Sequence, residues 1–168
     1  MRVELSSEFR YRTLPLGKDT LVIVISQSGE TADSLAALRV AKERGAETLG
    51  IVNVIGSSIA READHVLYTM AGPEIAVATT KAYSAQLAAV YALAIRTALA
   101  RGTVSQERHD ALVSELMTLP EKIRRVLEEK ERLQWFSTKI SNAKDIFFIG
   151  RGLDVDKPRN LAKSVTVE

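Results

Sequence analysis

The stretch Ser26-Gln-Ser-Gly-Glu-Thr31 gathers three hydroxyls, one amide side chain and one glycine into six consecutive residues. Side chains of these types donate hydrogen bonds without carrying charge, and a glycine lets the backbone come close to a ligand. A loop that enters from a β-branched strand and leaves into a helix also aims unpaired backbone N–H groups along the positive end of the helix dipole. The chemistry suited to such a loop is capture of a dianion, a phosphate above all, by neutral donors. Capping of the helix by Ser28 or Thr31 would use a single hydroxyl, so the clustering favours a cradle over a cap. No Gly-Lys-Ser/Thr occurs and Gly29 stands alone, so neither a P-loop nor a G-x-G-x-x-G turn forms, and a nucleotide is the less suitable ligand.

Other reactive side chains are sparse. Glu30 and Glu74 are the carboxylates closest to this loop by position, but one opens a helix and the other follows a proline, so each reads as a dipole or loop partner rather than a base. His65 begins a strand and His109 lies in a charged helix, neither at metal-ligand spacing. Lys81 reads as an exposed residue at a helix start, a place near the anion being the alternative. No metal and no cofactor are expected.

The elements that would hold the loop are legible. Thr20-Leu-Val-Ile-Val-Ile25 is a continuous apolar, β-branched run, the pattern of a strand covered on both faces of a parallel sheet. The helix after the loop carries Leu35, Leu38 and Ala41 on one face and stops at Gly45. A second strand, Thr48 to Val52, leads to a short helical stretch from Ser57 to Ala63, and a third, His65 to Thr69, leads to a loop at 71–79. This alternation predicts an α/β fold with a parallel sheet.

A helix from about Thr80 to Ala100 is apolar on nearly every side and belongs either to the core or to a subunit interface. Residues 105–142 read as amphipathic helix with Ser105 as N-cap and a break at Pro120. Asp145-Ile-Phe-Phe-Ile149 is a further buried-strand pattern, and the residues from Asp154 onward carry no periodicity.

The chain of 168 residues suffices for one globular domain with a sizeable core. Its 23 basic and 21 acidic side chains leave no polyelectrolyte signature, so nucleic acid is not an expected partner. With no cysteine there is no disulfide framework and no thiolate metal site, which agrees with a reducing cytoplasm. No signal-peptide order is present, and Ser84, Gln86 and Arg96 interrupt the most apolar run, so no membrane association is expected.

Taken with Glu8-Phe-Arg-Tyr-Arg12 before the loop, and Ala71-Gly-Pro-Glu-Ile75 and Thr80-Lys81 after it, the sequence resembles the sugar isomerase (SIS) family. More narrowly it is similar to the isomerase half of the glutamine–fructose-6-phosphate aminotransferases, because the tail from Pro158 to Glu168 resembles the C-terminal end of those enzymes. The resemblance covers nearly the whole chain. It implies a three-layer, doubly wound, flavodoxin-like parallel sheet in which strand 145–149 fills the place of a missing central strand, either in cis, which makes the chain a circular permutant, or by exchange between chains. The organisation it suggests is an SIS-like phosphosugar-binding domain over 1–104, a helical linker over 105–143, the start of a second lobe over 144–154 and an active-site tail over 155–168.

Residue by residue, the resemblance implies phosphate contacts at Ser26, Gln27, Ser28 and Thr31, and a sugar-facing loop at Val77 and Thr79. At those two the family more often has Ser, so Thr79 keeps a hydroxyl with an added methyl. The tail lysine that forms a Schiff base with the open-chain keto sugar falls on Lys163, beside Ala162. An amine with an ordinary pKa near 10.4 needs desolvation or a neighbour before it is nucleophilic, which a tail folding over the sugar would supply. Relative to that family the chain is truncated or internally deleted: the glutaminase half, the opening Gly-Thr-Ser turn, and the glutamate and histidine of the second lobe are missing. The resemblance therefore implies action on fructose 6-phosphate to give glucosamine 6-phosphate, in the cytoplasm and as a homo-oligomer, a dimer. The other reading is a non-catalytic phosphosugar-binding module or a structural remnant.

Overall fold

The computed structural model describes residues 2–75 and 79–145. The expected segments at Val77, at 146–149, and at the tail with Ala162 and Lys163 lie outside the described residues. The chain divides into two compact units, one of residues 1–75 with 79–94 and one of 76–78 with 95–168.

The first unit begins with a single helical turn, α1 (Ser6–Phe9), and continues through β1 (Leu21–Ser26), α2 (Ala32–Glu43), β2 (Glu47–Val52), α3 (Ser58–Glu62) and β3 (His65–Tyr68). The strands form a parallel sheet in the order β1-β2-β3. A parallel connection needs a crossover, and α2 and α3 supply it, packing on the sheet with α2 against β1 and β2 and α3 against β2. The α/β class with a parallel sheet is therefore as the sequence implies.

Two apolar clusters anchor α2. Below its C-terminal half, Phe9 of the Glu8–Arg12 stretch packs with Ala37, Ala41 and Ala46, and Leu14, Leu16 and Val22 close the edges. On its other flank, Val24, Leu38, Val52 and Ile59 form a buried set spanning both strands and α3. Leu38 is fully buried, and removing such a side chain from water contributes about 1.5–3 kcal/mol. The close approach of α3 needs Gly50, because a Cβ there would lie 2.8 Å from Ile59 Cγ2. The helix ends where Gly45 takes φ +80°.

The two-sided burial expected of β1 does not extend over the strand. Val24 and Ser26 are buried, whereas Leu21, Ile23 and Ile25 on the opposite face are 51%, 42% and 46% exposed. Alternation sends these three away from α2, and β1 is an edge of the described sheet. Cover on that face is complete only one strand further in, where Ile51, the register partner of Ile25, is fully buried.

The helix α4 (Thr80–Ala100) has the bounds the sequence predicts, yet Ala82 is its sole buried residue among those described, and Tyr83, Leu87, Val90 and Tyr91 are exposed. In the second unit, α5 (Gln106–Met117) starts at the expected cap, the Ser105 hydroxyl accepting from the Arg108 amide at 3.3 Å. The break foreseen at Pro120 falls at Thr118, with the proline in the first turn of α6 (Leu119–Glu128), where its missing N–H costs nothing. A further break at Glu129 separates α7 (Lys130–Ile140) and has no proline or glycine to announce it.

Candidate functional site

The strand register sets where a site can form. Ser26 pairs with Val52, and Val52 pairs with Tyr68, so the three strands finish in one row. The loops starting at 27, 53 and 69 thus leave from one edge, the carboxyl end of a parallel sheet, where ligands of open α/β folds bind. Two backbone bonds stitch the edge together: the Asn53 amide donates to Gln27 O at 3.1 Å and the Thr69 amide to Val52 O at 2.9 Å.

In the hydroxyl-rich loop, the backbone is less open than its sequence suggests. The Gly29 amide donates to Ser26 Oγ at 3.1 Å, and the Glu30 amide donates to Ser28 Oγ at 3.2 Å. Two N–H groups expected to be unpaired are thus satisfied by the loop's own serines, because short hydroxyl side chains bond readily to amides two or three residues on. Both hydroxyls keep their own proton to donate. Ser26 is buried and Ser28, like Gln27, is half-buried or nearly so. Thr31 is the N-cap of α2 but makes no side-chain cap bond, so the capping alternative fails for it, and the helix's first amides have no side-chain partner from Thr31.

Gly29 sits at φ +68°, a conformation open to glycine, and presses on the next loop. A Cβ at this position would stand 2.1 Å from Ser57 Oγ and 2.6 Å from Ser57 Cβ. Ser57 is buried and its Oγ has no hydrogen-bond partner among the described residues. Its place as cap of α3 is taken by Glu30, whose carboxylate accepts from the Ser58 amide at 2.8 Å and the Ser58 hydroxyl at 2.7 Å. Those bonds hold the Glu30 carboxyl below the usual carboxylate range. Together with the bond from the Ile59 amide to Gly29 O at 3.0 Å, they lash the loop to α3. Glu30 is therefore a loop partner, as its position implied. Glu74 is likewise engaged, its Oε2 accepting from the Ala82 amide at 3.1 Å in the first turn of α4.

Thr79 lies just before α4 with φ +55°, an uncommon conformation for a β-branched residue. Lys81 is exposed. His65 Nε2 stands 3.9 Å from Glu47 and His109 Nδ1 is 2.8 Å from Asp110. Of the expected site residues, the structure brings Ser26, Gln27, Ser28 and Thr31 into one loop and describes Thr79. Val77, Ala162 and Lys163 lie outside the described residues.

Sequence reasoning passed over Asn53. Its Oδ1 accepts from the Thr69 hydroxyl at 3.1 Å and the Ala71 amide at 2.8 Å, and its Nδ2 donates to Gly72 O at 2.7 Å. The available signal was an asparagine directly after a buried strand, a residue type that bonds to nearby backbone and organises turns.

Comparison with known proteins agrees with this architecture. Residues 1–96 match the SIS domain family. The chain is 53% identical over 154 residues to glutamine–fructose-6-phosphate aminotransferase (isomerizing) of Clostridium tetani, covering 92% of this chain and 25% of that protein. The corresponding protein of Caldanaerobacter subterraneus is also 53% identical over 154 residues, with the same coverage. The C-terminal domain of glucosamine-fructose-6-phosphate aminotransferase from Francisella tularensis superposes with a TM-score of 0.83 at 34% identity, over 91% of this chain and 44% of that one. The chain thus spans about a quarter of the length of the curated relatives it matches.

Proposed function

The chain belongs to the SIS domain family, and from that premise we propose that it is part of the sugar-phosphate isomerase portion of a glucosamine-6-phosphate synthase, acting on fructose 6-phosphate. The observation that carries the proposal is the Ser26–Thr31 loop, held at the carboxyl edge of a parallel sheet with uncharged donors and a Thr31 that spends no hydroxyl on capping. In this reading Ser26, Gln27, Ser28 and Thr31 bind the phosphate, and neutral donors suffice because a preorganised cradle replaces water with fixed dipoles. The sugar lies over the neighbouring loops toward Val77 and Thr79. Lys163, with Ala162 beside it, closes on the keto carbon and forms the imine: the amine attacks C2 and water leaves, ammonia supplied from outside this chain then displaces the lysine amine, and a proton moves from C1 to C2 to give the 2-amino aldose. A cytoplasmic location and a homodimeric state belong to the same proposal.

Calorimetric titration of the full chain with glucosamine 6-phosphate and fructose 6-phosphate tests the pocket, with binding expected for both. Borohydride reduction in the presence of fructose 6-phosphate, followed by peptide mapping, is expected to leave a hexose adduct on Lys163. One observation favours a second reading, a module that holds phosphosugar without turning it over. Glu30 and Glu74 are both occupied with helix N-termini, so neither is placed to move a proton between carbons. Sugar binding without any adduct at Lys163 would select that reading.

A further inference from the structure

The row of strand ends poses a question that the phosphate loop alone leaves unanswered. A phosphate held at residues 26–31 has the rest of its ester projecting over the adjacent loops, and what fixes those loops fixes which ester fits. The loop after β3 carries two left-handed backbone positions. It contains Met70 at φ +52°, a non-glycine residue in the left-handed region, followed by Gly72 at φ +70°. Such a backbone persists where its surroundings over-determine it. One side chain reaches this backbone on both sides of Met70. Asn53 contacts the loop at Thr69, Ala71 and Gly72, on either side of Met70, through three hydrogen bonds of 2.7–3.1 Å.

The same residue holds the phosphate loop from its other side, through its amide to Gln27 O. The orientation of its carboxamide is fixed, since a reversed group would set Nδ2 against the Ala71 amide and Oδ1 against Gly72 O. Asn53 is therefore the joint between the loop after β1 and the loop after β3, with backbone to one and side chain to the other.

We infer that Asn53 is a positioning residue that sets selectivity for the sugar portion of a phosphosugar, by fixing the loop at residues 69–72 relative to the phosphate cradle. The inference rests on the phosphosugar reading above and adds a residue that acts through its neighbours rather than by touching the phosphate. Because its contact with the cradle is a backbone bond, changing the side chain leaves the anion donors in place and alters what stands next to them. A merely structural role would weaken all ligands alike. A positioning role changes the ratio between two ligands that share a phosphate and differ in the sugar.

The experiment is calorimetric titration of the full chain with inorganic phosphate and with fructose 6-phosphate, for the wild type, Asn53→Asp and Thr69→Val. Asp at 53 keeps an acceptor for Thr69 and Ala71 but places a carboxylate oxygen against Gly72 O. The expected result is a wild type that prefers fructose 6-phosphate. Asn53→Asp should hold inorganic phosphate within about threefold of wild type and lose about tenfold for the sugar ester, the scale of one or two hydrogen-bond contacts. Thr69→Val removes one bond from the partner's side and should move the ratio in the same direction by less, which keeps the test available if the aspartate variant does not fold. Equal losses for both ligands in the folded variants, unchanged affinities, or a wild type without preference would each overturn the role of Asn53. A wild type that takes up neither ligand would instead overturn the phosphosugar reading, and this role with it.

Discussion

Residues 21–68 and residues 106–140 are both built from amphipathic elements, yet only the first hides them. In the sheet region Leu38, Ile51 and Ile59 are fully buried, while α5, α6 and α7 contain no buried residue. The difference is not one of pattern. Ile123, Val126 and Leu127 of α6 repeat at the i, i+3, i+4 spacing that makes an apolar stripe, as Leu35 and Leu38 do in α2. What separates the two regions is a facing surface: α2 meets two strands and α3, whereas Ile123, Val126 and Leu127 of α6 are 49–67% exposed. An amphipathic stripe states that a helix can be covered, and the covering element decides whether it is.

The largest effect that sharpens this contrast comes from trimming one leucine in each region. Leu38→Ala should cost about 2–5 kcal/mol in urea denaturation, and Leu127→Ala no more than about 0.5 kcal/mol. A loss above about 1 kcal/mol for Leu127→Ala would break the comparison by revealing a partner for α6. The single tryptophan, Trp135 in α7, makes this separable, since its fluorescence reports on the helical region while far-UV circular dichroism reports on both.

Next in size is Gly29→Ala. The left-handed backbone and the collision with Ser57 should together cost about 1–3 kcal/mol, with phosphate affinity falling below calorimetric detection. Retained phosphate binding in a folded Gly29→Ala chain would show that the cradle does not depend on its close approach to α3.

A third test contrasts a carboxylate held by several partners with one held by a single exposed lysine. Asp64 accepts from Lys42 Nζ at 2.7 Å, Thr48 Oγ1 at 2.7 Å and the Thr48 amide at 3.0 Å, the Lys42 and Thr48 side chains being the main causes that lower its pKa from 3.8 to about 2. Because the folded value lies below the ordinary one, the ionised form stabilises the fold above about pH 4. That contribution is lost as pH falls through about 2. Acid titration of stability should therefore show a slope between pH 4 and 2 that Asp64→Asn flattens. Glu115, whose exposed pair with Lys122 holds its carboxyl low, should flatten nothing measurable when changed to Gln. The smallest effect is expected for Ser57→Ala: its hydroxyl is buried without a partner among the described residues, so the melting temperature should stay level or rise slightly.

Much of the first unit was legible because its signals are local. A β-branched run, a helix period and a stop glycine fix β1, α2 and the turn at Gly45 without reference to anything distant. The Ser105 cap and the start of α4 were legible for the same reason. The face of β1 bearing Leu21, Ile23 and Ile25 was misjudged because burial depends on neighbours, and a continuous apolar run does not say whether both faces are met. The break at Glu129 carries no residue that forbids helix. At the candidate site the residue types were readable, but their bonding was not: Ser26 and Ser28 turned inward to their own loop, and Glu30 reached to Ser58, 28 residues away. Asn53 was missed because its importance lies in contacts with residues 16 to 19 positions on, which no sequence period encodes.

The lash between Glu30 and α3 also bears on speed. A cradle already shaped before its guest arrives has little ordering left to do, so occupation should proceed at the pace of encounter, with only a slight heat-capacity change. Cutting that tether would turn a lock-and-key event into a slower, two-stage closure, even where the final complex looks the same.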